Sequence, residues 1–117
     1  MRREDHMIKY RCWLVYPFRL NGVVFRVDGG REFMDSNGYR MIKDFSGKRH
    51  PVSHIIYAVG VAYPSGYPKS YKFMKTVTVS YRDKDKSNCN YDNLTCKIKK
   101  RIIKQAKFEN EIGMCFK

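Results

Sequence analysis

Short apolar runs separated by turn residues fill the first half of the chain. The runs alternate apolar and polar positions loosely and are rich in β-branched and aromatic residues, which favours strands over helices. The predicted strands cover residues 7–18, 23–27, 39–42 and 48–52. The predicted turns are Asn21 with Gly22, residues 28–30, Asn37 with Gly38, and Gly47. This half therefore predicts short antiparallel strands over about residues 7–52.

The second half mixes helical and extended patterns. Ser53 is predicted as the N-cap of a helix over residues 54–59, which a loop over residues 63–68 ends. The later segments predict a strand at 76–81, a polar turn at 83–90, one helical turn at 91–94, a strand at 95–98 and a helix at 99–107. Together the two halves predict an α+β protein.

The composition is that of one folded domain. The chain has 117 residues, and its 9 Tyr, 7 Phe and 1 Trp can supply a modest core. No run approaches the ~20 apolar residues that a membrane span needs, and no apolar signal-peptide region follows the N-terminal charges. We therefore expect a single cytoplasmic domain over residues 1–117 without a membrane partner.

The charge balance narrows the class of partner. The chain has 24 Lys and Arg against 11 Asp and Glu, which gives a formal net charge of +13. Such a domain attracts polyanions, because each neutralised phosphate releases condensed counterions. The alternative is a surface that lysine simply makes soluble.

The cysteines favour no metal site. The four cysteines form no C-x-x-C pair, the usual zinc-ribbon signature. A site built from Cys89 and Cys96 with His50 or His54 is the alternative to reduced, partly buried thiols. We expect thiols, and neither a metal ion nor another cofactor.

The polar stretch over residues 79–94 carries the most informative motif. It reads V-S-Y-R-D-K-D-K-S-N-C-N-Y-D-N-L and resembles the HNH homing endonucleases of phages and introns, whose pattern is V-[DN]-H-x-D-G-D-x-x-N-N-x-x-x-N-L. The frame is kept at Val79, Asp83, Asp85, Asn88, Asp92, Asn93 and Leu94.

Upstream pieces extend the resemblance to about residues 20–104. They are Asn37-Gly38-Tyr39, Gly47-Lys48-Arg49, a His at position 54 that opens a helix, and a loop over residues 60–66. Residues 67–76 look like an insertion relative to the usual spacing. The resemblance implies a ββα-metal core within residues 53–107, preceded by the strands and followed by a tail over residues 108–117.

The chemical positions of the motif are degenerate. The resemblance assigns the first metal ligand to Ser80, the general base to Tyr81, the residue that orients the base to Asn93, and the ligand on the last helix to Ile102. Serine is a poor Mg²⁺ ligand, an isoleucine side chain offers no ligand atom, and tyrosine with an ordinary pKa of ~10 is a poor base near neutral pH. Asn93 and its acidic neighbours Asp83, Asp85 and Asp92 are then expected to cap turns.

The resemblance also implies a DNA-binding surface made of basic residues. The hairpin members are Arg40, Lys43, Lys48 and Arg49, with Arg40 and Arg49 expected to read bases. The motif loop adds Arg82, Lys84 and Lys86. The last strand and helix add Lys97, Lys99, Lys100, Arg101, Lys104 and Lys107, which would contact phosphates.

These observations predict a catalytically inactive HNH-like protein of phage or mobile-element origin. It would bind duplex DNA, with homodimerisation as an option, and occlude a site as a repressor or as a competitor of a nuclease. The alternatives are a nicking endonuclease with rearranged metal ligands, and a basic interaction protein that binds RNA, the ribosome or a host enzyme.

Overall fold

Three antiparallel strands form the first sheet, in the order β1-β2-β3. The computed structural model describes residues 2–63 and 66–98, and the sheet lies near their start. Its strands are β1 (Ile8–Tyr10), β2 (Trp13–Tyr16) and β3 (Val23–Arg26). Trp13 and Val15 are fully buried and alternate with half-buried neighbours, so one face of β2 lies on the core.

The single strand predicted over residues 7–18 is corrected to a tight hairpin. Arg11 has a φ of 55°, in the left-handed region, and Tyr10 pairs directly with Trp13. An apolar run that alternates through a two-residue turn looks continuous in sequence, because the turn residues Arg11 and Cys12 carry no Gly, Pro or Asn signal.

The second sheet holds three short strands in the order β4-β5-β6. They are β4 (Phe33–Met34), β5 (Arg40–Lys43) and β6 (Arg49–Pro51). Ile42 pairs with His50, and both are buried on the core side. The strands predicted over residues 39–42 and 48–52 are confirmed, whereas the two-residue strand β4 gives too short a pattern to be recognised.

The helix α1 (Val52–Gly60) lies at the centre of the fold and contacts elements of all three sheets. Its N-cap is Pro51 rather than the predicted Ser53, and no side chain caps it. Ser53 is instead buried within the first turn. The chain passes directly from β6 into the helix, so the extended conformation of Pro51 begins it two residues earlier than expected.

The segment predicted as an insertion contains the short helix α2 (Tyr71–Met74). The Ser70 hydroxyl caps it by accepting a hydrogen bond from the Phe73 amide at 3.1 Å. Met74 is buried and ties this segment to the core.

The third sheet is a hairpin of β7 (Val77–Tyr81) and β8 (Leu94–Ile98). Two single-turn 3-10 helices, Arg3–Asp5 and Tyr91–Asn93, complete the described elements. The strands predicted at 76–81 and 95–98 and the turn at 91–94 are confirmed. The predicted helix at 99–107 and the tail at 108–117 lie outside the described residues.

The molecule is therefore an α+β protein with small antiparallel sheets around α1, as the pattern predicts. In the part of the chain that the structure describes, no helix has both the length and the apolar character to cross a membrane.

Candidate nucleic-acid interface

Side-chain hydrogen bonds hold the motif loop between β7 and β8, in addition to the burial of Cys89. The Asn93 amide nitrogen donates to Asp83 Oδ1 at 2.8 Å and to the Asn88 carbonyl at 2.9 Å, while Asn93 Oδ1 accepts from the Asp83 amide at 3.1 Å. Asn88 adds a bond to Asp83 Oδ2 at 3.0 Å. Asn93, which the resemblance assigns to orienting a base, therefore closes the loop.

Further turn bonds fix the rest of this loop. Asp85 Oδ1 accepts from the amide and hydroxyl of Ser87, and Asn90 caps the 3-10 turn by accepting from the Asp92 amide. Asp83 Oδ1 likewise accepts from the Asp85 amide at 2.8 Å, so the bonds confirm the prediction that Asp83 and Asp85 cap turns. Asp92 instead forms an ion pair with Arg3.

The loop presents its basic residues to solvent. Arg82, Lys84 and Lys86 are all exposed. Lys86 is the most constrained, because its ammonium donates to the Asn37 carbonyl at 3.0 Å and lies 4.4 Å from the centre of the Tyr39 ring. A rigid loop with exposed cations can hold a phosphate backbone without ordering itself on binding.

Tyr81, which the resemblance assigns to the general base, is partly buried at the end of β7. Burial raises the pKa of the Tyr81 hydroxyl to about 12, against a smaller opposite effect of the Ser53 hydroxyl. A base must be deprotonated before it can accept a proton, so this hydroxyl is a weak base near neutral pH. The structure thus strengthens the chemical argument drawn from the residue type.

Ser80 leaves β7 on the opposite face from Tyr81, because successive side chains of a strand alternate. It is exposed and pairs with Thr95 across the hairpin. Among residues 2–63 and 66–98, no group of three His, Cys, Asp or Glu side chains could hold a metal ion. The donor set of these residues does not fit the divalent ion of an HNH site.

His50, one candidate member of the alternative zinc site, is engaged within the fold. His50 is buried, with Nε2 placed 2.7 Å from Asp44 Oδ2 and Nδ1 placed 2.5 Å from the Tyr71 hydroxyl. Both ring nitrogens are therefore used within the fold. Cys89 is a free, fully buried cysteine, and burial raises the pKa of its thiol.

Asp44 fixes the turn that joins β5 to β6. Its carboxylate accepts from the Ser46 hydroxyl and amide and from the Lys48 amide, besides its contact with His50. These bonds, with that of the Ser46 hydroxyl first, hold the pKa of Asp44 well below its ordinary range. The turn is consequently a rigid edge of the surface described below.

The structure corrects the predicted role of Arg40 as a base-reading residue. Its guanidinium forms a bidentate pair with Glu32, at 2.6 and 2.8 Å, and also donates to the carbonyls of Asn21, Gly22 and Ser87. All five N–H donors of an arginine are thus used inside the protein. Arg40 cross-links three segments and has no donor left for a base or a phosphate.

The outward face of the β5–β6 hairpin carries two neighbouring clefts. Met41 and Lys43 point away from the core on β5, and they pair across the hairpin with Pro51 and Arg49. Met41 and Pro51 lie in one cleft, and Lys43 and Arg49 in the other. Alternate residues of a strand are roughly 7 Å apart, so the clefts adjoin on one face.

The first of these, which we call the tyrosine cleft, has a volume of about 300 Å³. It lies between the β5–β6 hairpin, the start of α1 and β7, and its aromatic walls are Tyr39 and Tyr81, whose ring centres are 6.4 Å apart. His54 also lines it. Tyr81, which the resemblance assigns to the general base, therefore lines a mainly apolar cleft whose polar members include Asp35 and His54.

The second, the arginine cleft, has a volume of about 560 Å³ and is mainly basic. Four cationic side chains line it, together with Phe33 and two glycines, and no acidic residue of the described chain does. The cations are Arg26, Arg31, Lys43 and Arg49. Lys43 and Arg49 were expected at the interface, whereas Arg26 and Arg31 were missed because they come from another part of the chain.

The remaining predicted contacts are dispersed. Lys48 and Lys97 are exposed on the β5–β6 turn and on β8, and neither side chain is among the described walls of either cleft. The helix residues Lys99, Lys100, Arg101, Ile102, Lys104 and Lys107 lie outside the described residues. In comparisons with known proteins, no family model, no curated protein and no solved structure matches this chain.

Proposed function

We propose that this chain is a degenerate HNH-type domain that binds duplex DNA and does not cut it. The observation that carries the proposal is Tyr81, which the resemblance places at the base position, and whose pKa is raised to about 12 by burial beside a mainly apolar cleft. Ser80, its neighbour at the ligand position, points to the other face of the strand.

The electrostatics support the binding half of the proposal. The net charge of +13 attracts polyanions at long range. The exposed cations of the motif loop and of the arginine cleft provide local sites for phosphates. Duplex DNA offers phosphates in a regular array, which suits a surface whose cations are fixed by turns and strands.

The finer architecture belongs to the same proposal. The hairpin of β7 and β8 would supply the two strands of a ββα-metal core, and the helix expected at 99–107 would supply the third element. In that arrangement Lys100, Lys104 and Lys107 share one helical stripe at spacings of four and three residues. That stripe would extend the phosphate-binding surface beyond the described residues.

The biological role follows from binding without cutting. A domain of this kind, of phage or mobile-element origin and acting in the bacterial cytoplasm, would occlude a DNA site as a repressor or as a competitor of an active nuclease. A homodimer would match the two-fold symmetry of a palindromic site.

Fluorescence anisotropy with a short labelled duplex tests the proposal. The logarithm of the association constant should fall linearly with the logarithm of salt concentration, by about 0.9 per phosphate contact. Replacing two loop cations, as Arg82→Ala with Lys84→Asn, should reduce this slope. Asparagine is chosen because Lys84 has a φ of 62°, which asparagine tolerates.

A matched control removes the same charge elsewhere. Lys72→Ala with Lys75→Ala changes two exposed cations around α2, which lie outside the motif loop and line neither cleft. If both double variants lose the same affinity, net charge rather than the loop surface attracts the DNA. Nicking of supercoiled DNA in Mg²⁺ would favour the endonuclease alternative.

A further inference from the structure

The arginine cleft gathers more positive charge than the fold requires. In the described part of the chain, Arg31 and Arg49 have no ion pair and no side-chain hydrogen bond. The Lys43 ammonium likewise has neither, and it lies 5.8 Å from the centre of the Phe33 ring. Arg26 alone has an acidic partner, Asp28, through Nε at 2.7 Å. Of the four cations around the cleft, only Arg26 is therefore ion-paired among the described residues, and its partner Asp28 does not line the cleft.

The pairing of β5 with β6 places two of these cations opposite each other, which destabilises the fold when no anion is bound. Lys43 and Arg49 are direct cross-strand partners, and both are exposed on the outward face. Like charges directly opposite each other on an antiparallel pair destabilise it. A bound anion between the two side chains would remove that repulsion.

The other wall of the cleft is shaped to hold Arg26 in place. Besides its Asp28 contact, Arg26 donates from Nη1 to the Asp44 carbonyl at 3.3 Å. Its guanidinium lies against Gly30, where an added Cβ would come within 2.7 Å of Arg26 Cζ. Its Nη2 donors stay unused within the described residues and are available to a ligand.

We infer that the arginine cleft is a phosphate-binding site. A planar guanidinium matches two phosphate oxygens at once, and Lys43 adds a point charge. The volume of about 560 Å³ can take a phosphate with its flanking sugars, and Phe33 offers an apolar wall to a sugar. This inference rests on the proposed function as far as the phosphate belongs to duplex DNA.

Inorganic pyrophosphate and a short duplex, titrated separately into the full chain at constant ionic strength, test this inference. Backbone amide shifts of Gly30 and Gly47, both in the cleft, should move saturably with pyrophosphate. Arg31→Ser with Arg49→Thr should abolish that response and weaken duplex binding about tenfold. Lys72→Ala with Lys75→Ala should leave the pyrophosphate response intact.

Competition separates the two sources of phosphate. Duplex that displaces pyrophosphate identifies the ligand as DNA backbone, whereas pyrophosphate that duplex cannot displace identifies a free phosphate compound. An unchanged amide response in the Arg31→Ser with Arg49→Thr variant, or shifts spread evenly over the surface, overturns the site.

The duplex titration also separates failure of this site from failure of the proposed function. If the protein binds pyrophosphate in the cleft but binds no duplex, the proposed function is refuted and the phosphate site stands. If the Arg31→Ser with Arg49→Thr variant binds duplex as tightly as the parent, the cleft does not contact DNA and the proposed function stands.

Discussion

Replacing Arg40 by Met should destabilise the fold strongly while the loop cations remain available to DNA. The substitution removes all five guanidinium donors and leaves the Glu32 carboxylate without its bidentate partner. Segments around residues 21–22 and residue 87 lose their link to β5 at the same time. The side chain of Met fills a similar volume, so the effect comes from lost hydrogen bonds and an unpaired charge.

The magnitude follows from the burial of the pair. Removing one partner of a buried ion pair costs about 3–5 kcal/mol. The side chains of Arg40 and Glu32 are 14% and 19% exposed, so we take the lower end, about 3 kcal/mol. For a chain of 117 residues the unfolding entropy is about 0.25 kcal/mol/K, and the melting temperature should fall by about 12 °C.

Thermal and urea unfolding monitored by circular dichroism measure this change. Arg82→Met is the matched control, since Arg82 is exposed and should shift the free energy of unfolding by less than about 0.5 kcal/mol. In a double-mutant cycle, Glu32→Gln combined with Arg40→Met should cost less than the sum of the single changes.

Binding assays complete the test and can refute the reasoning. Well below its melting temperature, Arg40→Met should keep its affinity for duplex DNA, whereas Arg82→Met should lose affinity and keep its stability. An Arg40→Met protein that is as stable as the parent and has lost DNA affinity would show that Arg40 contacts DNA and that its cross-links are incidental.

Three further predictions concern the loop, the strands and pH. Asn93→Ala removes three hydrogen bonds of the motif loop, so it should lower the free energy of unfolding by about 1–3 kcal/mol and speed amide exchange at residues 83–93. Unchanged exchange would show that Asn93 does not hold the loop closed. Arg49→Thr removes the like-charge pair with Lys43 and should stabilise the fold by about 0.2–1 kcal/mol in urea unfolding at low salt. A loss of stability would argue against repulsion between the two side chains. The lowered pKa values of Asp44 and Asp83 give stability that is present above the ordinary aspartate pKa of about 3.9 and is lost as pH falls through the lowered values. Acid unfolding should therefore begin below about pH 4, and Asp44→Asn should flatten the dependence, while an unchanged pH profile of this variant would remove Asp44 as a cause.

Local signals explain the parts of the fold that the sequence predicts well. Turn residues such as Asn21 with Gly22 and Asn37 with Gly38 act within a few residues, and φ values of 62°, 67° and 82° at Asn21, Gly22 and Gly38 meet the need for left-handed backbone. The β7–loop–β8 segment is similarly local, since its polar side chains bond to nearby backbone.

Long-range contacts explain the features of the site that the sequence did not predict. Arg40 looks like any basic residue of an exposed hairpin, and only the tertiary fold brings Glu32 and Ser87 to its guanidinium. Arg26 and Arg31 join Lys43 and Arg49 because β3 and the segment before β4 pack beside β5. Such convergence of distant segments leaves no periodic pattern in the sequence.

A two-stage gel experiment tests binding without cutting most directly. The full chain is mixed with a duplex labelled on both 5′ ends in Mg²⁺ at low salt, the shifted complex is isolated on a native gel, and its strands are sized on a denaturing gel. We predict a shifted complex, weakened by added salt, whose two strands are intact. Shortened strands in the complex, or no shift at any salt concentration, would contradict the account.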